Sequence, residues 1–279
     1  MFSAIKRFFA VILSGIIALG ASVDLWPYHT GVNEIDMSKF ELVFEDEFDG
    51  TQLSGVWRPH HFGMGATIAR KGSYWNPKLT EVYDGNLHIK AKYLEKGAEP
   101  GDPAGWYTEG LETNGSYRQK YGYFEVRCKL PSSDGLWSAF WMWDEGAADD
   151  NAESGVNGSE IDVFESMYYD RPRNNVVSAN IHTRGYNENH RQLRAKKLRV
   201  PGDPYNEYNT YGVEWNSDEY IFYLNGKEWY RTDFDTPSQV DEFLILSVEL
   251  SGENGTPRDA SVLREADFVV DYVRAYQYK

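Results

Sequence analysis

From Phe40 onward the chain is a series of short segments in which apolar and polar residues alternate, separated by turn residues. Period-two alternation marks strands that bury one face. The segments are Glu41–Glu45, Asn86–Tyr93, Tyr121–Leu130, Trp137–Trp143, Glu160–Ser166, Val176–Thr183, Tyr211–Trp215, Glu219–Leu224, Phe243–Glu249 and Asp267–Gln277. Asn225-Gly226 stands between Tyr220–Leu224 and Lys227–Arg231. An Asn-Gly pair in that setting is the strongest short hairpin signal. The 9 Trp, 20 Tyr, 14 Phe and 25 Gly favour strands and turns over helices and exclude an all-α bundle. The predicted fold is all-β: a sandwich of two antiparallel sheets, of the jelly-roll kind.

The 279 residues show no internal repeat, no Pro-rich linker and no second composition regime. One domain over residues 40–279 is expected, behind a lead-in at 22–39 without clean periodicity. Residues 1–21 are of another kind. Lys6 and Arg7 precede the uncharged run Phe8–Ala21, and small residues close it. That is the three-part pattern of a secretory signal peptide. An uncleaved anchor is the alternative, although the run is short of the roughly 20 apolar residues a spanning helix needs. The expectation is a secreted monomer with no stable membrane insertion after cleavage. The only cysteine, Cys128, allows no intrachain disulfide and no cysteine metal cluster. It shares a strand face with Gly122, Phe124, Val126 and Leu130, so a buried thiol is expected.

The net charge of −15 excludes a protein that grips nucleic acid by its phosphates. One segment runs against it: His190–Val200 carries Arg191, Arg194, Lys196, Lys197 and Arg199. It reads either as a solvated loop or as a contact for an acidic or sulfated ligand.

The chemistry concentrates in Ser159–Ser166, where Glu160, Asp162 and Glu165 are separated by Ile161, Val163 and Phe164. In a regular strand Glu160 and Asp162 point one way and Glu165 the other. A β-bulge between them would reset the parity and bring all three acids to one face. A protonated acid beside an ionised one is the pair that glycoside hydrolysis requires. Taken alone, the stretch also fits a solvated strand face or a calcium ligand set.

The preceding segment shifts the balance. Trp137, Ala139, Trp141 and Trp143 alternate with Ser138, Phe140 and Met142, so three indoles share a face. Such a stripe suits a core. It also suits the apolar faces of sugar rings, with polar side chains at the rim for their hydroxyls. Asn114, Asn180, His182 and Trp215 are the further candidates for sugar contacts.

These motifs, in this order, resemble glycoside hydrolase family 16, the retaining β-jelly-roll endoglycanases that include laminarinases, lichenases and agarases. The matching residues are Glu47–Gly50, Gly85–Leu87, Tyr121–Glu125, Gly135–Trp137 with Ala139–Trp141, Glu160–Glu165, His182, Val213–Trp215 and Asp271–Arg274. The resemblance implies Glu160 as nucleophile, Glu165 as general acid/base and Asp162 between them, in a substrate cleft. The six-residue Glu-x-Asp-x-x-Glu form is similar to the bulged branch of laminarinases, agarases, porphyranases and endo-β-galactosidases. No cofactor is implied for catalysis. A structural Ca2+ is, at positions matching Glu45, Gly85 and Asp271; Asp271 lies in an apolar strand and needs a metal or a hydrogen-bonded partner. Ser138 stands where the family usually has Pro, and Ser247–Gly252 replaces a Gly-Gly of laminarinases. The expected partner is a polysaccharide: first a β-1,3- or mixed-linked β-glucan, second a galactan-type glycan. A non-catalytic glycan binder and a transglycosylase are the other classes on this pattern.

Overall fold

The computed structural model describes residues 27–60, 73–133, 135–167, 175–250 and 265–279; the expected signal peptide lies outside them. Among these residues no helix is long and apolar enough to cross a membrane. The described residues form eighteen strands, in chain order. They are β1 (Phe40–Asp46), β2 (Arg58–Pro59), β3 (Ser73–Trp75), β4 (Thr80–Tyr83), β5 (Asn86–Leu94), β6 (Gly105–Thr108), β7 (Gly110–Glu112), β8 (Gly122–Lys129) and β9 (Leu136–Trp143). Then come β10 (Glu160–Ser166), β11 (Val176–Thr183), β12 (Arg191–Gln192), β13 (Lys196–Arg199), β14 (Asn209–Trp215), β15 (Tyr220–Leu224), β16 (Lys227–Thr232), β17 (Phe243–Leu250) and β18 (Glu265–Tyr278).

They form the expected two-sheet sandwich. One sheet runs β16-β15-β14-β8-β18-β5-β6-β3, with β1 on β18 and β4 on β5. The other runs β12-β11-β10-β9-β17-β7-β2, with β13 on β11. Pairing is antiparallel except between β3 and β6, which lie parallel. The Asn225-Gly226 turn is realised with φ of 50° and 73° at its two residues, the backbone of a tight hairpin that this pair tolerates best.

Alternation decides what each strand buries. On β8, Phe124, Val126 and Cys128 face the core, as does Leu130 just beyond it, while Tyr123 and Glu125 point away. The Cys128 thiol is therefore buried as expected, and burial pushes its titration upward. From the facing sheet Phe140, Met142, Ile161, Phe164, Leu244, Leu246 and Val248 meet them. Each large side chain withdrawn from water contributes about 1.5–3 kcal/mol.

The lead-in is more than a tether. Tyr28 N–H donates to Lys197 O at 2.6 Å and Tyr28 O accepts from Arg199 N–H at 2.9 Å. Six residues on, Glu34 bridges to Lys227 on β16. The basic run is not a loop either: it supplies β12 and β13 at one side of the eight-stranded sheet. Lys and Arg there discourage edge-to-edge pairing with other chains.

Candidate active site

The carboxylates sit at the middle of the eight-stranded sheet, where β10 lies between β9 and β11. Asp162 pairs with Trp141 and Glu165 with Ala139, and the register shifts between Asp162 and Phe164. The extra residue is the bulge that the spacing predicted. It returns Glu165 to the face carrying Glu160 and Asp162, while Ile161, Val163 and Phe164 stay in the core.

That face is recessed. Asp162 is only 5% exposed and Glu165 7%, although both point away from the core. The neighbouring strands supply the rest of the face by register. Glu160 lies between Trp143 and His182, and Asp162 between Trp141 and Asn180. On the other side of Glu165 from Ala139 stands Ser178, whose hydroxyl donates to Glu165 Oε2 at 3.4 Å.

Histidine protonation follows from the hydrogen bonds. Asn180 Oδ1 accepts the Ile181 N–H at 3.0 Å, which turns its amide Nδ2 toward His182 Nε2 at 2.8 Å. His182 Nε2 therefore accepts, and its proton resides on Nδ1, which donates to His190 Nε2 at 2.8 Å. The two imidazoles lie nearly coplanar, at 8°. His182 Nε2 is 3.7 Å from Glu160 Oε1 and 3.5 Å from Asp162 Oδ2.

The indoles divide into floor and wall. Trp141 is 5% exposed, donates to Ser247 Oγ at 3.2 Å and takes His60 edge-on at 5.3 Å. It is floor, not an open stacking plate. Trp137 and Trp143 are half-buried on the same face. Trp143 Nε1 donates to the Tyr186 hydroxyl at 2.8 Å, and that hydroxyl donates to Glu160 Oε2 at 2.5 Å. Desolvation of the hydroxyl, and next the Glu160 charge, hold the Tyr186 proton well above the usual phenol range. Beyond Trp141, Glu112 accepts from Arg58 Nε at 2.8 Å and pairs with His60. Burial works against the Glu112 carboxylate, but His60 and Arg58 outweigh it and hold its titration below the ordinary range.

One expectation is corrected. Trp215 is not at the cleft. It lies on β14 of the other sheet, is fully buried, and donates to Ser238 O at 3.0 Å. In Val213-Glu214-Trp215 the two apolar residues face the core and Glu214 faces outward, so the indole is a core residue. Asn114 lies just past β7, is half-buried, and has Arg118 at 3.4 Å and Glu145 at 3.5 Å as its neighbours.

At the expected calcium positions the structure shows a protein partner for one acid. Arg127 pairs with the Asp271 carboxylate and supplies the partner that its apolar strand demands. Exposed Glu45 stands opposite Arg274 in register, and Gly85 occupies the β4–β5 turn at φ 71°. Arg274 itself forks onto Glu47 at 2.7 and 2.9 Å, so of the two acids only Asp271 carries an arginine.

Sequence reasoning missed Tyr186, His190, Ser178 and the Arg58–His60–Glu112 group. Ser178 was accessible by the parity of β11. The others lie on loops or on β2 and β7, strands of two and three residues that are too short for alternation to signal direction.

A two-sheet β-sandwich with paired carboxylates on a bulged central strand, floored by tryptophan, defines a glycan-cleaving class of protein. The profile described as Beta-porphyranase A-D, GH16 domain, matches residues 41–278, and the chain belongs to glycoside hydrolase family 16. It is 31% identical over 264 residues to the Endo-1,3-1,4-beta-glycanase EglC of Rhizobium meliloti (strain 1021), covering 87% of this chain and 53% of that one. It therefore spans about half the length of that relative. It is 29% identical over 258 residues to a Beta-glucanase of Rhodothermus marinus, covering 86% of each. Among solved structures, SCLam, described as a non-specific endo-beta-1,3(4)-glucanase from family GH16, superposes with a TM-score of 0.69 at 25% identity, over 91% of this chain and 97% of that one.

Proposed function

We propose that this chain is a secreted endo-acting β-glucanase that cleaves β-1,3- or mixed-linked β-glucan by double displacement with retention. The observation that carries it is the bulge: it sets Glu160 and Glu165 on one recessed face, with Asp162 between them and tryptophans beneath. Glu165 protonates the glycosidic oxygen while Glu160 attacks the anomeric carbon. Water then releases the sugar, with Glu165 acting as base. Asp162, 5% exposed and flanked by Glu160 and Asn180, holds the nucleophile's surroundings polar. The names of the relatives favour glucan.

A second reading, an endo-galactanase, is favoured by the porphyranase-type profile and by Lys197, which lies opposite Ser178 in the cross-strand row that contains Glu165. The deciding experiment is reducing-end release by the mature protein on laminarin, lichenan, agarose, porphyran, carrageenan and keratan-type glycans. Glu160→Gln serves as the blank, and the anomer first formed is read by NMR. Release on a glucan with retention supports the first reading. Release only on a galactan replaces it with the second. Wild-type-like activity in Glu160→Gln, or an inverted product, overturns the mechanism.

A further inference from the structure

Tyr186 has no part in the double displacement as stated, yet its hydroxyl touches the nucleophile. It accepts the Trp143 Nε1–H and donates to Glu160 Oε2. An indole nitrogen can only donate, and a phenol has one hydrogen, so that hydrogen is committed to Glu160. The loop that brings it there is held: Tyr186 N–H and Asn187 N–H donate to Asp150 Oδ1 at 3.1 and 3.2 Å, and Gly185 N–H to Ala147 O at 2.9 Å. His190 flanks the phenol ring at 5.7 Å.

We propose that Tyr186 assigns Glu160 Oε1 as the attacking atom and promotes the second half of the reaction, release of the sugar from the enzyme. The proposal rests on the double-displacement reading. In the first half the Oε1–C1 bond forms, the C1–glycosidic oxygen bond breaks, and the proton of Glu165 passes to the leaving oxygen. Glu160 loses its charge, and the hydrogen bond from Tyr186 weakens with it, because such bonds are strongest to an ionised acceptor. In the second half a water oxygen bonds to C1, a water proton passes to Glu165, and the C1–Oε1 electron pair returns to Glu160. The charge reappears and the bond strengthens. An interaction accelerates only the step in whose transition state it grows. The hydroxyl therefore opposes glycosylation and favours deglycosylation.

The test is Tyr186→Phe on 4-nitrophenyl β-laminaribioside, whose leaving group makes the first half fast. A hydrogen bond to a charged group is worth about 10- to 100-fold. The expected result is a kcat lower by that factor and a KM lower in parallel. With these go an unchanged or raised kcat/KM, a burst of nitrophenol equal to the enzyme, and a disaccharide bound to Glu160 in the mass spectrum. The thermal midpoint stays that of wild type. A kcat/KM that falls with kcat and shows no burst overturns the assignment and leaves Tyr186 a structural residue. Wild type that is silent on this probe counts against the glucan reading instead. The same comparison is then made on the oligosaccharide of whichever glycan the panel shows cleaved, where equal kcat in the two proteins overturns the Tyr186 role. Wild type that cleaves no glycan overturns both.

Discussion

Glu165 follows Asp162 by three residues but lies only two cross-strand positions further along β9, opposite Ala139 where Asp162 is opposite Trp141. The surplus residue is what keeps the two acids on one side. Deleting Val163 should therefore preserve the alignment, giving a regular strand with all three carboxylates still facing the cleft. The expected protein folds with a lowered melting midpoint, since Val163 is buried, and retains measurable reducing-end release. Inserting an alanine after Val163 turns Glu165 inward and should reduce release to the level of Glu160→Gln. Equal loss in both variants would mean that the bulge does more than set parity.

Trp143 and Trp215 should separate function from stability. Trp143→Phe removes the donor to Tyr186 and part of the cleft wall. The expectation is a kcat lower by up to about 10-fold, because the Tyr186 hydroxyl loses the donor that holds it on Glu160, at an unchanged melting midpoint. Trp215→Phe leaves a gap in the core and should cost about 1–3 kcal/mol with kcat intact. Thermal melts beside steady-state kinetics decide it, and a kinetic defect in Trp215→Phe would return that residue to the site.

Two buried acids should make stability depend on pH. Glu109 accepts from Gly110 N–H at 2.9 Å, and Glu242 accepts from Ser159 N–H and Oγ at 3.1 and 2.9 Å; burial pushes both up to about 8. A raised acid favours the folded state while protonated. That contribution is complete below the ordinary glutamate range and is lost as pH rises through about 8. The melting midpoint should fall between about pH 5 and 8, and Glu109→Gln with Glu242→Gln should flatten the fall. A midpoint that rises over this window in wild type would contradict the burial argument.

Chelation should have no effect on stability. Arg127 occupies the Asp271 carboxylate that a calcium ion would need. EDTA is expected to leave the melting curve unchanged, while Arg127→Ala should lower it by about 1 kcal/mol or somewhat more, the cost of a half-buried acid left without its partner. A midpoint that drops on chelation and recovers with Ca2+ would restore the metal.

Much of this was written in the chain. Alternation placed β5, β8, β9, β10, β11 and β17, and the spacing of Glu160, Asp162 and Glu165 offered a bulge as the way to bring all three to one face. What alternation cannot do is say which sheet a strand joins. Trp215 obeys the same period as Trp141, yet its strand lies in the opposite sheet, and its pairing with the distant strand β8, where it stands opposite Gly122, decides that. Short strands escaped for a related reason: Arg58–Pro59 and Gly110–Glu112 hold too few residues to show a period. Tyr186 was invisible because a loop residue's direction is fixed by contacts such as those to Asp150, not by its neighbours in sequence.

The segment at residues 28–35 changes how the sandwich meets its surroundings. Its backbone bonds to Lys197 and Arg199 in one sheet and to Gly226 and Glu228 in the other, through Tyr28, Gly31, Asn33 and Ile35. On that flank the peptide ladder passes from sheet to sheet through a single lace of chain. The flank is thus a seam rather than a rim, and a passing strand finds few free amides there to recruit. Cutting the chain before Phe40 would unpick that seam and expose two raw borders at once, so the smallest self-contained unit begins upstream of the first long strand.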